Sequence, residues 1–479
     1  MKYFLLVLGC QMNMSDSERV KAVIERVGFI PTDNEDEASL LGVLSCSVRQ
    51  KPIDKVYNRI HVWNKKKSRQ HIITFVSGCV LPDDRDKFLK LFDFVFPMSE
   101  LNDFPNMLKE YGVASPLLLN QEPGASQNAF PIELPNHHFK PVSKIGLKPE
   151  KPRMPSNQDI FQLWNVKPNY QSEFEAYVPI QNGCDKFCSF CAVPYTRGRE
   201  VSRPSAEIIM EVKELMLNGY KSITLLGQNV NSYGLDRDAE ISFAELLAKI
   251  GELGITLKNP SWVYFTSPHL RDMSRDVIEA IAKYPVLAKQ IHLPLQSGDD
   301  QVLVKMNRKH NLDRYRESVA HIRELIPQAT LFIDIIVGFT GETEEQFLNT
   351  VKSFDEFQFN MAYVAMYSPR PGAQSFRWEN DISQTAKKDR LQRLSNKLEE
   401  ISGNYNQHMI GKTLKVLVRT KERKTGYLSG VTEGKLVTRI LSKDTGLIGQ
   451  FVMVTITDAS GLSIAGELVA INAETTITN

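Results

Sequence analysis

Three cysteines, Cys184, Cys188 and Cys191, fall within eight residues in the run Asn182-Gly-Cys-Asp-Lys-Phe-Cys-Ser-Phe-Cys-Ala. Half of the chain's six cysteines are therefore held in one C-x3-C-x2-C cluster, a density that chance placement does not explain. Thiolates at this spacing read as metal ligands. Structural zinc takes four protein ligands, and no histidine lies between His138 and His269 to complete such a set. Three thiolates suit a 4Fe–4S cluster in which one iron is left open.

The remaining cysteines, Cys10, Cys46 and Cys79, are far apart in the chain. Taken singly, each reads first as a small buried hydrophobe. Their placement argues for more. Each follows a predicted strand within a few residues and precedes a predicted helix, and in an open parallel sheet such loops gather at one edge. Gly9 and Gly78 directly precede two of them, so the backbone there can approach a bulky ligand closely. A second cluster with an open iron and a set of buried thiols are both compatible with this spacing.

The elements that must position these sulfurs fall into three regimes. Over 1–112, apolar runs at Tyr3–Leu8, Leu40–Leu44 and Ile72–Val76 alternate with helix-like stretches, which predicts an open parallel α/β sheet. Over 113–173, nine prolines from Pro116 to Pro168 break every possible element, and this segment reads as a linker wrapped over the surface. Over 174–405, strands are expected at Tyr177–Gln181, Ser222–Leu226, Trp262–Thr266, Gln290–Leu295, Leu331–Val337 and Ala362–Tyr367. Helices such as Ser205–Leu217 and Asp313–Leu325 intervene. Six βα units in succession predict a partial TIM-like barrel, with the Cys184 loop at its mouth. Over 406–479, five short alternating strands between glycine turns predict a small β-barrel of the OB type.

The composition is that of a globular protein, with 42% hydrophobic and 24% charged residues. The net charge of +2 is too small to imply a polyanion partner, so any nucleic-acid surface must be local. The apolar run at the N-terminus stops before it reaches the length of a signal peptide, and no stretch is long enough to span a bilayer. The expectation is a cytoplasmic protein with no membrane partner, in a compartment where thiols stay reduced.

With these residues in view, the chain resembles the radical S-adenosylmethionine superfamily at Cys184, Cys188 and Cys191. More closely, it resembles the MiaB-type tRNA methylthiotransferases. The likeness rests on Leu8-Gly-Cys-Gln-Met-Asn13 with Asp16-Ser17, Ser45-Cys-Ser-Val-Arg49, the long run Gly183 to Arg203, and Tyr367-Ser-Pro-Arg-Pro-Gly372. It covers nearly the whole chain. It implies two 4Fe–4S clusters, an auxiliary one on Cys10, Cys46 and Cys79 and a radical-generating one on Cys184, Cys188 and Cys191, with the C-terminal barrel as an RNA-binding TRAM domain. It also implies S-adenosylmethionine bound by residues at the strand ends: Gly227, Gln228 and Asn229; Thr266 and Ser267; His292 and Gln296; Gly338 and Glu342. The implied reaction adds a methylthio group to C2 of N6-isopentenyladenosine beside the anticodon, after an adenosyl radical has taken the C2 hydrogen. An electron-donating reductase, flavodoxin or ferredoxin, a sulfur donor, the tRNA anticodon stem-loop and a monomeric enzyme complete the implied picture. The sister substrates are threonylcarbamoyladenosine in tRNA and a ribosomal-protein aspartate. A non-catalytic iron–sulfur RNA-binding protein is the alternative of another class.

Some positions depart from the family pattern. Leu44-Ser45 replace the usual Asn-Thr, Gln50 stands where an acid is usual, and Val-Leu-Pro follows Cys79 in place of Met-Ala-Gln. For RNA contacts, the basic loop Arg419, Lys421, Arg423 and Lys424 is the first candidate, with Lys65-Lys66-Lys67, Arg197 and Arg199 behind it. Taken alone, the basic loop reads first as a solvated hairpin turn, and the others can be simply surface charge. Gly411-Lys412-Thr413 is not a phosphate loop, because Asn406 stands where the first glycine must be.

Overall fold

The computed structural model describes residues 1–46, 50–67, 69–115, 157–423 and 426–469. Most of the proline-rich stretch, 116–156, lies outside them, as do Arg49 and Lys424.

The N-terminal lobe is a five-stranded parallel sheet in the order β2-β1-β3-β4-β5. Its strands are β1 (Lys2–Val7), β2 (Ile30–Pro31), β3 (Leu40–Cys46), β4 (Ile73–Cys79) and β5 (Phe94–Val95). The central strands β3 and β4 are buried along their whole length, as a sheet covered on both faces requires. Leu40, Leu44 and Phe75 pack toward the helix Gln11–Arg26, with Val20, Val23 and Ile24. Leu41, Val43 and Val76 pack toward the helix Gln50–Lys67, with Ile53, Val56, Ile60 and Trp63. Each fully buried aliphatic side chain contributes about 1.5–3 kcal/mol, so the two-sided core holds the strand ends rigidly. The two-residue edge strands β2 and β5 were not expected, because runs this short carry no periodicity.

The linker expected over 113–173 is corrected at its end. Asn157–Trp164 is a helix, free of proline, and Leu163 joins the N-terminal core.

The central lobe carries β6 (Glu175–Pro179), the short hairpin β7 (Gln181–Asn182) and β8 (Val201–Ser202), β9 (Ser222–Leu226), β10 (Trp262–Phe265), β11 (Gln290–His292), β12 (Thr330–Val337) and β13 (Met361–Met366). Parallel pairing runs β10-β9-β6 and β11-β12-β13, with a parallel bridge between Val263 and Leu287. Alternate residues Val178, Ile223, Leu225, Val263, Ile291, Leu331, Ile333 and Ile335 form the core against the helices. By the period of two, the intervening Tyr177, Thr224, Tyr264, His292, Asp334 and Tyr363 face the barrel interior. That interior is polar. The expected six-strand partial barrel is observed.

The C-terminal lobe is a closed barrel of β14 (Thr413–Lys421), β15 (Tyr427–Thr432), β16 (Val437–Leu441), β17 (Phe451–Ala459) and β18 (Ser463–Leu468), in the order β14-β15-β16-β18-β17. Among the described residues β16 pairs with β18 in parallel, and the other pairings of the barrel are antiparallel. It docks at the N-terminal ends of the central strands. Trp262 meets Phe451 edge-on at 4.5 Å, Lys289 N donates to Glu433 Oε1 at 3.2 Å, and Thr330 Oγ1 donates to Gly434 O at 2.8 Å. The cysteine loop lies past the opposite ends of those strands.

Candidate iron–sulfur and cofactor site

In the N-terminal lobe, Cys46 and Cys79 are the last residues of β3 and β4 and are direct partners in register. Cys10 is the N-cap of the helix Gln11–Arg26. Two of the three thiols therefore sit on the strands themselves and not in loops beyond them. Asn13, fully buried one turn into that helix, draws them together. Its Nδ2 donates to Ser45 O at 2.8 Å, and its Oδ1 lies 3.5 Å from Cys10 Sγ and 4.0 Å from Cys79 Sγ. The glycines make room for this. A Cβ on Gly9 would lie 2.9 Å from Cys46 Cβ, and one on Gly78, whose φ is +95°, would lie 2.6 Å from Ser45 O. Burial pushes the Cys79 thiol up to about 12; Cys46 and Cys10 add to the rise and Arg197 opposes it.

In the central lobe, Gly183 opens the cysteine loop at φ +80°, where a Cβ would fall 1.9 Å from Arg199 O, so no larger residue fits. Gln228 Oε1 accepts from Gly183 N at 2.5 Å, which ties the end of β9 to the loop. Val193 N points at Cys191 Sγ at 3.5 Å and Arg308 Nη1 at Cys188 Sγ at 3.4 Å. Burial raises both Cys184 and Cys191 to about 12, with the neighbouring thiols adding to it. Cys46 also raises the Cys191 thiol, so the two trios are within electrostatic reach of each other.

The donor set fits the clusters. Cys46, Cys79 and Cys188 are buried, Cys184 and Cys191 partly so, and Cys10 is exposed; the buried thiols deprotonate against metal charge, which iron ligation supplies. Amide and guanidinium N–H groups already point at sulfur in both lobes. Among the described residues no group of three or more His, Cys, Asp or Glu side chains converges as a single-ion site. A 4Fe–4S cluster does not ask for such convergence, since each thiolate binds a different iron.

The expected cofactor residues divide. Gly227, Gln228 and Asn229 do reach the cysteine loop: Asn229 N donates to Gln181 Oε1 at 3.0 Å, while its buried Oδ1 has no hydrogen-bond partner. Thr266 and Ser267 leave the end of β10, Ser267 at φ +60°. His292 Nε2 lies 2.9 Å from Asp334 Oδ2, inside the barrel and edge-on to Tyr363. Gln296 extends the sheet, its N donating to Asp334 O at 2.8 Å and its O accepting from Ile336 N at 3.0 Å. Glu342 is engaged within the protein. Its buried carboxylate accepts from Gly338 N at 2.7 Å and pairs with Arg390 at 2.7 Å, which fixes the loop after β12.

Further residues join the site. His269 and His310 stand edge-on at 5.7 Å, each with an unpartnered Nε2, and burial with the Arg308 charge pushes them down to about 2 and about 4. Both are therefore neutral at neutral pH: His269 Nδ1 accepts from Arg271 N, which leaves its Nε2 as an N–H donor, while His310 Nδ1 donates to Arg308 O, which leaves its Nε2 as an acceptor. Lys186, within the cysteine loop, pairs with Asp272 at 2.6 Å. A histidine two residues after an arginine carries no pattern of its own, so only the fold brings it to the site.

The RNA candidates are redistributed as well. Arg197 is 5% exposed and points at Cys79, so it cannot track a phosphate. Lys66 and Lys67 are engaged by Asp36 and Asp93, and Arg199 by Asp185 at 2.8 Å. Arg419 pairs with Glu175 at 2.8 Å, across the seam between the two barrels. Lys421 and Arg423 are exposed.

Comparison with known proteins follows this division. Residues 178–354 match the model of the Radical SAM superfamily, and residues 2–97 match an uncharacterized protein family, UPF0004. A tRNA-2-methylthio-N(6)-dimethylallyladenosine synthase of Clostridium botulinum is 35% identical over 97% of this chain and 96% of its own length. The chain belongs to that synthase family. The corresponding protein of Geotalea uraniireducens is 34% identical over 97% of this chain and 98% of its own. Among solved structures, the radical S-adenosylmethionine methyltransferase TsrM of Kitasatospora setae superposes with a TM-score of 0.53. It covers 78% of this chain and 74% of its own at 13% identity, a likeness of fold alone. Membership makes this chain a radical S-adenosylmethionine enzyme, dependent on a 4Fe–4S cluster and S-adenosylmethionine. Among the described residues no helix is long and apolar enough to cross a membrane.

Proposed function

We propose that this protein is a cytoplasmic tRNA methylthiotransferase that places a methylthio group on C2 of N6-isopentenyladenosine beside the anticodon. The observation that carries this reading is the pair of cysteine trios in adjoining lobes, linked by Arg197, which follows Cys191 by six residues and donates to Cys79 Sγ at 3.0 Å. Its curated relatives, named as tRNA-2-methylthio-N(6)-dimethylallyladenosine synthases, match along the whole arrangement.

In this reading, residues 1–112 form the auxiliary-cluster lobe, 113–173 the connection, 174–405 the radical lobe and 406–479 the RNA-binding barrel. Cys10, Cys46 and Cys79 hold one 4Fe–4S cluster, and Cys184, Cys188 and Cys191 the other. When bound, the clusters supply the electron that cleaves S-adenosylmethionine and a site for the sulfur to be transferred. The protein's part is positioning. Gln228 anchors the cysteine loop, the unpartnered Asn229 Oδ1 is an acceptor for an amine, and neutral His269 and His310 offer a donor and an acceptor without adding charge. The polar interior from Thr224 to Asp334 gives a flipped-out adenine somewhere to enter, and base chemistry requires that the base leave its stack. Lys421 and Arg423 remain free to meet phosphate. The electron donor is a low-potential reductase, flavodoxin or ferredoxin, and the sulfur donor is separate.

Two measurements test the reading. Reduced, cluster-loaded protein with S-adenosylmethionine should release 5′-deoxyadenosine. Mass spectrometry of tRNA nucleosides from a deletion strain should show loss of the methylthio-isopentenyl nucleoside; loss of a threonylcarbamoyl derivative instead, or of neither, would refute the assignment.

A further inference from the structure

Arg197 belongs to the radical lobe by sequence and to the auxiliary trio by contact. It ends the helical turn Val193–Arg197, six residues after Cys191, and is 5% exposed. Its Nε donates to Cys79 Sγ at 3.0 Å, and its Nη2 pairs with Asp16 Oδ2 at 2.5 Å. Its backbone oxygen accepts from Asn182 Nδ2 at 2.9 Å, two residues before Cys184. One residue is thus held from behind by the cysteine loop of one lobe while its charge is delivered to the sulfur of the other. Asp16 completes the device. It lies on the helix that Cys10 caps, so the acid and that thiol move together.

A guanidinium buried this deeply is tolerated only against acceptors placed to receive it. Here the two acceptors act in opposite senses: the contact with Cys79 brings the guanidinium charge to that sulfur, and the Asp16 carboxylate, paired with the same guanidinium, partly offsets that charge. Reduction of an iron–sulfur cluster adds negative charge, and N–H donors and positive charge near its sulfurs favour the reduced form.

We propose that Arg197 and Asp16 set the reduction potential of the auxiliary site, Arg197 raising it through the N–H···S contact with Cys79 and Asp16 holding that rise in check. The proposal rests on the reading that Cys10, Cys46 and Cys79 hold a cluster. It makes Arg197 a positioning residue and the electrostatic link between the two sites.

The test is a redox titration, followed by electron paramagnetic resonance, of full-length protein reconstituted anaerobically with iron and sulfide. A Cys188→Ala background removes the radical-site signal and leaves the auxiliary one alone. Arg197→Gln should shift the auxiliary midpoint to more negative potential, Asp16→Asn should shift it to more positive, and Arg197→Lys should fall between wild type and Arg197→Gln. Shifts of the same sign in Arg197→Gln and Asp16→Asn, or no shift in either, would overturn the proposal, because a purely structural pair gives the same response from either side. If Arg197→Gln loads no iron, the Asp16→Asn and Arg197→Lys shifts still decide. Wild-type protein that binds only about four irons per chain would sink the auxiliary-cluster reading itself, a result distinct from a loaded cluster whose potential does not move.

Discussion

Gly78→Ala should remove the auxiliary cluster while leaving the radical cluster in place. Gly78 directly precedes Cys79 on β4 and has φ +95°, a conformation that costs an L-residue roughly 1–2 kcal/mol. The added Cβ would also lie 2.6 Å from Ser45 O, a backbone atom of the neighbouring central strand. Restoring ordinary contact needs a movement of about 0.8 Å, and forcing a methyl into a packed site costs about 1–3 kcal/mol more. Because Cys46 and Cys79 are partners in register, the displacement is taken up between the two ligands themselves. Gly219→Ala is the control. Gly219 has φ +85° but nothing within 4 Å of its would-be Cβ, so it carries the backbone strain without the collision. Iron analysis after anaerobic reconstitution should give about eight irons per chain for wild type and Gly219→Ala, and about four for Gly78→Ala. Full iron in Gly78→Ala, or equal loss in both variants, would refute the argument that backbone approach at Gly78 builds the site.

Further outcomes follow from other contacts. Cys188→Ala should abolish release of 5′-deoxyadenosine and formation of product, whereas Cys46→Ala should retain cleavage of S-adenosylmethionine and lose methylthiolation; liquid chromatography of both products separates the two. Arg390→Met leaves the Glu342 carboxylate buried without its partner and should lower stability by about 3–5 kcal/mol, with Arg390→Met/Glu342→Gln recovering part of it in thermal melts. Glu18 is buried with an unpartnered Oε2, and burial raises its carboxyl to about 7. The folded state therefore holds a proton that the unfolded chain gives up at lower pH, so this group's contribution to stability is present in acid and is lost as pH rises toward 7. Glu18→Gln should accordingly melt higher than wild type above pH 7, by at most about 3 kcal/mol, with the gain vanishing in acid; a gain independent of pH would contradict the assignment.

The cysteine loop was legible in the sequence because its ligands are local. A spacing of a few residues needs no tertiary contact to be noticed, and the six strands around it announce themselves by alternation and by the helices between them. The five strands of the C-terminal barrel were legible for the same reason. The auxiliary trio was half legible: the strands ending near Cys46 and Cys79 could be read, but not that the two thiols are opposed in register, nor that Asn13 draws Cys10 to them. Residues whose partners are distant in sequence were not legible. Arg197 resembled a surface base, yet the N-terminal lobe closes over it, and the pairing of Arg419 with Glu175 carries no sequence signal. Charge type is a property of the residue, whereas burial and partner are properties of the fold. The amino-acid sequence by itself determined the two cysteine trios, the three-part architecture and the family. The tertiary structure alone decided which charges face solvent, which brace a loop and which one reaches between the two sulfur sites, because those roles depend on segments that meet only when the lobes pack.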